Sequence, residues 1–197
     1  PPRKLLESLF ARLNKQANFS ICVPGGLDKE LLVSVDIGKV HYWNHRFTGT
    51  TDKNIFQGIT AGTRSDLSKG GKSLFVGAGG PMGQMHVQRA VESSAPPSLV
   101  AAMDLSRERL DILNRKVEML GYKDTGINYV PVNPSEFDSQ KACDDFLWKL
   151  APQGFDDINI LAPVTKLVQA YSGFLNKGGV MNVFAGLPIG SMAELDM

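Results

Sequence analysis

The sequence predicts an α/β fold, a doubly wound parallel sheet with an N-terminal α/β extension. Three observations carry that prediction. From Lys72 to Met197, short apolar runs alternate with longer amphipathic ones, as parallel strands wrapped by helices do. A glycine-rich turn joins the first apolar run to the first amphipathic stretch. An acidic residue, Asp104, closes the second run, 21 residues beyond Gly83.

The elements follow in order. Leu5, Leu6, Leu9, Phe10 and Leu13 keep helical spacing near the start of the chain. A strand is expected at Phe19 to Val23, another at Lys39 to Thr48, and a helix at Asp52 to Ala61. Ser73-Leu-Phe-Val-Gly-Ala78 is nearly all apolar, as expected for a strand buried on both faces. Met82 to Ser94 reads as a helix, ended by Pro96-Pro97, and Ser98 to Met103 as the second strand of the sheet. Ser106 is placed to cap a helix carrying Leu110, Leu113, Val117 and Leu120, with Gly121 as its stop. Ile127 to Val132 predicts a third strand, with Pro131 near its end, and Ser135 to Leu150 a helix. Asp157 to Ala162 gives the fourth strand, Thr165 to Asn176 a helix, and Gly179 to Ala185 the fifth strand.

Composition narrows the function. The chain has 197 residues, the length of one domain or of one domain with an appended segment. Its 21 basic and 20 acidic residues give a net charge of +1, which offers little to a phosphate backbone and argues against nucleic acid as a partner. Nowhere do about 18 apolar residues run together, so no membrane helix is expected. Two cysteines and three histidines are too few for a disulfide framework or a zinc cluster, and a cytoplasmic location is the expectation. The chain opens Pro1-Pro2-Arg3, with neither an initiator Met nor a signal-peptide pattern, and reads as a piece of a longer protein.

Leu13-Asn14-Lys15, an apolar run, Gly26-Leu27 and then Asp36-Ile37 parallel Leu175-Asn176-Lys177, an apolar run, Gly186-Leu187 and Asp196-Met197. Two readings stand: a repeat, which would make the N-terminal segment the tail of a preceding unit of the same kind, or a chance match.

Gly77-Ala78-Gly79-Gly80-Pro81-Met82-Gly83 lies between the first sheet strand and its helix. A phosphate-binding turn needs residues without Cβ, so that backbone can approach a pyrophosphate. It also needs a helix N-terminus aimed at the anion, because unpaired N–H groups and the positive dipole end lie there. Met82 holds the last glycine position of a strict G-x-G-x-x-G, but G-x-x-G-x-x-G fits at Gly77, Gly80 and Gly83. Pro81 suits the first helical position, where its missing N–H would be unpaired anyway. Asp104 stands where a carboxylate accepts hydrogen bonds from an adenosine ribose and repels a 2′-phosphate, which favours NAD over NADP. Arg107 and Arg109 close behind soften that preference. The plainer reading of Asp104 is that it starts the Asp-Leu-Ser-Arg turn into the next helix. The division that follows is an N-terminal extension over 1–65 and a dinucleotide-binding Rossmann domain over 66–197. A methyltransferase is disfavoured because Phe75-Val76, not an acid, precede the first glycine. A short-chain dehydrogenase is disfavoured because no tyrosine has a lysine four residues on.

The stretch from Lys69-Gly-Gly-Lys72 through Gln84-Met85 resembles the cofactor domain of the medium-chain, zinc-type alcohol and polyol dehydrogenases. So do Asp104 with Arg109, Tyr129-Val-Pro-Val-Asn-Pro134, Gly154-Phe-Asp-Asp-Ile-Asn-Ile-Leu-Ala-Pro-Val164 and Gly178-Gly-Val-Met-Asn-Val-Phe-Ala-Gly186. Within that superfamily the sequence looks most like the sorbose-1-phosphate reductase branch. Val40-His-Tyr-Trp and Phe47-Thr-Gly-Thr-Thr51 look like the strand that follows the cofactor domain there. The resemblance implies that the backbone of Gly80, Pro81 and Met82 holds a pyrophosphate, and that Asp104 and Arg109 hold the adenosine ribose. It implies that Ala162, Pro163, Val164, Phe184, Ala185 and Gly186 run along the nicotinamide ring, although tight packing at strand ends would explain these six as well.

The implied activity is hydride transfer to an alcohol, polyol or sugar phosphate, with a homodimer formed along strand five and its continuation. Catalytic residues would come from a domain outside these residues, and the chain alone is expected to be inactive. Zinc ligands are not expected. Cys22 lies in an apolar run, Cys143 lies on an acidic helix, and His41 and His45 share a strand face without a third ligand. His86, one turn into the first helix of the domain, is expected to make a helix–sheet contact. The alternative function is a non-catalytic Rossmann module for scaffolding or for sensing the NAD/NADH ratio.

Overall fold

The computed structural model of the chain describes residues 2–26, 31–60 and 64–196. It divides into two compact units, one of Pro1–Arg64, Pro163–Gly173 and Val183–Met197, the other of Ser65–Ala162 and Phe174–Asn182. No helix among the described residues is long and apolar enough to cross a membrane.

In the first unit, α1 (Arg3–Ala11) buries Leu6 and Phe10, one turn apart on a single face. β1 (Asn18–Cys22) pairs in parallel with β3 (Arg46–Thr50). Phe10 joins the two, its ring meeting Phe19 and Phe47 edge-on at 5.0 Å each. Between these strands run β2 (Leu32–Asp36) and α2 (Ile37–Trp43), and α3 (Ile55–Thr60) follows β3.

The strand expected at Lys39 to Thr48 is therefore half helix. Asp36 caps α2 by accepting from the Lys39 N–H at 3.3 Å, and Asn44 ends it in the left-handed conformation (φ 54°), so only the part from Arg46 onward is extended. His41 falls on the helix and His45 beyond it, which removes the shared strand face. The helix expected at Asp52 to Ala61 starts three residues later than its first residue, and Ala61 lies outside the described residues. Leu27 and Met197 of the internal similarity also lie outside them.

The second unit is a five-stranded sheet. In chain order its strands are β4 (Lys72–Val76), β5 (Leu99–Met103), β6 (Asn128–Val132), β7 (Phe155–Ile160) and β8 (Leu175–Val183, its last residue assigned to the first unit). Spatially they run β6-β5-β4-β7-β8, with β4 parallel to both β5 and β7 and β5 parallel to β6. Strand order thus reverses beside β4, which makes this a Rossmann-like doubly wound sheet with its switch point between β4 and β7. Pro131 sits on edge strand β6, where a missing N–H is tolerated.

Helices α4 (Pro81–Val91), α5 (Arg107–Met119) and α6 (Gln140–Leu150) belong to this unit. α7 (Thr165–Ser172) and a last strand, β9 (Met192–Asp196), belong to the first. Phe75, Val100 and Ala102 of the sheet form a buried cluster with Val87, Ala90, Leu113 and Val117 of α4 and α5. Ser106 caps α5 as expected, accepting from the Arg109 N–H.

Several boundaries differ from expectation: α4 ends at Val91 rather than Ser94, and the fifth strand, expected at Gly179 to Ala185, runs Leu175–Val183. α6 begins at Gln140 rather than Ser135, because Pro134–Glu136 forms a separate 3₁₀ turn, Phe137 is extended, and the Ser139 hydroxyl caps the helix at Ala142 N. α7 ends at Ser172, and Leu175-Asn176-Lys177, expected as helix, already belongs to β8. The Phe155 N–H donates to the Phe174 carbonyl at 2.7 Å, so β7 takes hold of the chain just before β8 begins.

Candidate cofactor site at the switch point

The turn after β4 is anchored from two sides. The N–H groups of Gly77 and Ala78 both donate to the Met103 carbonyl at 2.9 Å, at the end of β5. Leu161, just past β7, donates to the Val76 carbonyl at 2.8 Å. α4 then starts at Pro81 with Gly80 as its N-cap, and no side chain caps it. The first-turn N–H groups of Met82 and Gly83 have no acceptor within the helix, so the positive end of α4 opens where the turn ends.

Each glycine of the turn has its own reason to be there, read from what a Cβ would meet. At Gly77 (φ +87°) it would stand 2.8 Å from Ala162 N; at Gly79, 2.6 Å from Arg109 Cβ and 2.9 Å from Asp104 Cγ. At Gly83 it would lie 2.3 Å from the Gly77 carbonyl oxygen, which locks the first turn of α4 onto the strand end. Gly80 differs. The nearest atom to a Cβ there is the Gly77 carbonyl oxygen at 3.6 Å, an ordinary contact. Protein packing therefore demands glycine at 77, 79 and 83 but not at 80, the residue that borders the open helix end.

Asp104 stands beside this turn and is already at work. Its Oδ2 accepts from Gly79 N at 2.9 Å and its Oδ1 from Ser106 N at 2.9 Å, so one carboxylate buckles the glycine turn to the end of β5 and starts the turn into α5. A carboxylate has about four acceptor positions, so each oxygen retains one for a ligand hydroxyl. Both readings of Asp104 are thus compatible in one residue. Arg107 is engaged by Glu136 and Asp111. Arg109 is exposed, and its guanidinium has no hydrogen bond or ion pair among the described residues. Gln84, not among the expected site residues, donates from Nε2 to the Gly79 carbonyl at 3.0 Å and props the turn from the helix side.

Nine of the fourteen expected site residues thus share the sheet unit: Gly77, Gly79, Gly80, Pro81, Met82, Gly83, Asp104, Arg109 and Ala162. The other five lie in the first unit. There Pro163 and the N-cap residue of α7, Val164, are exposed. Phe184 lies edge-on to His41 with ring centroids 6.1 Å apart, Ala185 is buried, and a Cβ on Gly186 would come within 3.1 Å of the Tyr42 hydroxyl.

Metal ligands are not gathered here. Among the described residues no three His, Cys, Asp or Glu side chains are grouped to hold an ion. Cys143 is buried and its thiol is pushed up by that burial, while Cys22 is half-buried and contacts the Asp52 carbonyl. His86 is half-buried on α4, its pKa lowered first by burial and then by Arg89.

No protein-family model matches the chain. Over 117 residues it is 31% identical to L-sorbose 1-phosphate reductase of Klebsiella pneumoniae, a match covering 59% of this chain and 26% of that protein. Over 124 residues it is 25% identical to mannitol-1-phosphate 5-dehydrogenase of Aliivibrio fischeri, covering 61% and 28%. The chain resembles the medium-chain dehydrogenases. It spans about a quarter of the length of the curated relatives it matches. Among solved structures, 2R,3R-butanediol dehydrogenase from Bacillus subtilis superposes with a TM-score of 0.45 at 21% identity, over 64% of this chain and 34% of that one. A zinc-binding dehydrogenase from Sinorhizobium meliloti, bound to NADP, gives 0.46 at 21% identity, over 63% and 32%.

Proposed function

We propose that the sheet unit binds a nicotinamide dinucleotide, NAD in preference to NADP. It would serve an oxidoreductase that transfers hydride to or from an alcohol, polyol or sugar phosphate. The observation that carries this reading is Gly80. It is a glycine that the protein's own packing does not require, at the uncapped start of a helix, beside a switch point. A ligand that must approach the backbone there supplies the missing reason, and a pyrophosphate has the charge that end of α4 favours.

In this reading Gly80, Pro81 and Met82 border the pyrophosphate, and N–H groups of the first turn of α4 donate to it. Gly77, Gly79 and Gly83 shape the turn. Asp104 holds Gly79 with one lone pair of Oδ2 and offers its remaining lone pairs to the adenosine ribose. Its negative charge opposes a 2′-phosphate, while the free Arg109 guanidinium is the group that would attract one. Ala162 sets the floor of the turn against Gly77, and Pro163, Val164, Phe184, Ala185 and Gly186 are retained as nicotinamide-side residues. The nicotinamide supplies the hydride chemistry; these residues bind and orient it. Zinc finds no ligand set among the described residues, and no step here uses one.

A second reading, a non-catalytic module, is favoured by one fact: Asp104 has a structural task that would keep it in place without a cofactor. Calorimetric titration of the chain with NAD, NADH and NADPH tests the proposal. Saturable NADH binding that exceeds NADPH binding supports it, and no heat with any of the three overturns it.

A further inference from the structure

β2 and β9 pair antiparallel, with Leu32 opposite Asp196, Ser34 opposite Glu194 and Asp36 opposite Met192. A shift of 160 residues carries one strand onto the other, Leu32–Asp36 onto Met192–Asp196, and with it Val23 onto Val183, Gly26 onto Gly186 and Asp36 onto Asp196. At the centre of the ladder, Ser34 faces Glu194, its own counterpart under that shift. The shift read from Gly26/Gly186 and Asp36/Asp196 thus has its centre inside the observed ladder. At the two strand ends the acceptors are counterparts under the same shift, while their donors, Gly190 and Leu31, differ by one residue in register. Asp36, closing β2, accepts from Gly190 N just before β9, and Asp196, closing β9, accepts from Leu31 N just before β2, at 3.0 and 2.7 Å. Each strand is thus tied off by the same residue of the other copy.

We infer that residues around β2 and β9 are two copies of one self-complementary segment, joined about a local two-fold axis inside a single chain. β2 therefore occupies the edge through which β9 would otherwise pair with β9 of a second copy of this chain. Isologous pairing of that kind brings every residue on the axis against itself. In a β9–β9 pair the residue on the axis is Glu194, carboxylate against carboxylate, which is unfavourable directly across an antiparallel ladder. In the β2–β9 pair it meets Ser34 instead. Arg3 adds to the selection: its guanidinium lies 2.9 Å from Glu194, while Glu7, bound to the same arginine, accepts from Ser34 N at 3.0 Å. Because the Ser34 N–H points to Glu7, away from β9, the 34–194 pair is a non-hydrogen-bonded one, in which side chains approach most closely. The difference between the two copies at their shared centre is what favours closure within the chain over pairing between chains.

The test uses the full chain carrying Cys22→Ser and Cys143→Ala, so that introduced thiols report alone. Mild oxidation of Ser34→Cys/Glu194→Cys is expected to give a disulfide within one chain, monomeric on a non-reducing gel with no free thiol. Glu194→Cys alone places a single thiol on the axis and is expected to stay monomeric while β2 is intact. Adding Val33→Pro, which removes a ladder N–H from β2, is expected to make the covalent dimer the majority species. Where circular dichroism shows that Val33→Pro unfolds the chain, Val33→Ala/Val35→Ala opens the strand more gently. A double variant that links chains to each other or fails to link overturns the inference. So does Glu194→Cys that dimerises with β2 intact, or a folded opened chain that stays monomeric.

Discussion

Gly80→Ala separates a turn shaped by its own packing from one shaped for a ligand. At φ −70° and ψ 165° the backbone is ordinary for alanine, and the new Cβ meets nothing closer than 3.6 Å. With no clash, a compatible Gly→Ala change is expected to stabilise the chain by about 0.4–1 kcal/mol through the unfolded state. The same methyl would crowd the space from which an anion reaches the first-turn N–H groups of α4. Losing one hydrogen bond to a charged group costs about 1.5–3 kcal/mol, which is roughly a tenfold to hundredfold weakening. Gly83→Ala is the opposite control. Its Cβ would fall 2.3 and 2.5 Å from the carbonyl oxygens of Gly77 and Ala78, backbone atoms that move only with the strand end. That overpacking is expected to destabilise by about 1–3 kcal/mol. Urea unfolding without cofactor and fluorescence titration with NADH read the two effects separately. A folded Gly80→Ala chain that binds NADH as wild type does would refute the assignment of the pyrophosphate to this helix end.

Four further outcomes are expected. Asp104→Ala should destabilise the cofactor-free chain by about 2–3 kcal/mol, because two backbone N–H groups lose a charged acceptor; urea denaturation measures this, and a neutral result would remove the buckle. Arg109→Ala, at an exposed and unengaged side chain, should leave stability within about 0.5 kcal/mol and lower NADPH affinity more than NADH affinity, as paired titrations would show. Glu7 is held below its ordinary pKa of 4.5, chiefly by the Ser34 N–H and then by Arg3, so its fold-favouring ionised form gives stability that is present above that pH and lost as pH falls through the depressed value. Thermal midpoints of wild type between about pH 3 and 6 should therefore fall more steeply than those of Glu7→Gln. Leu113→Ala, fully buried between α5 and the sheet, should cost about 2–5 kcal/mol in the same unfolding assay.

The sheet was legible because its signals are local. Leu74 to Val76 is apolar because both faces of β4 are covered, Ser106 announces a cap, and the glycine turn has nowhere to sit except between a strand and a helix. The errors arose where non-local contacts decide the conformation. Leu175-Asn176-Lys177 continues an amphipathic pattern, yet pairing beside β7 draws it into β8. Val40 to Trp43 is apolar enough for a strand, and a cap from Asp36 together with a left-handed Asn44 turns it into helix. β2 and β9 escaped notice as strands because neither is buried on both faces and each finds its partner 160 residues away. Of the site, the sequence could place glycines but not distinguish them. Four glycines in seven residues look alike on paper, and only the distances to Ala162, Arg109 and the Gly77 carbonyl separate three packing requirements from one vacancy. Asp104 carries the converse lesson: its spacing suggested a ribose ligand, its neighbours suggested a turn, and the geometry gives one oxygen to each backbone N–H while leaving lone pairs over. Because the same carboxylate already holds two backbone N–H groups, loss of cofactor affinity in Asp104→Ala would by itself say nothing about the ribose, and Gly80, which has no second task, is the position at which the cofactor reading stands or falls.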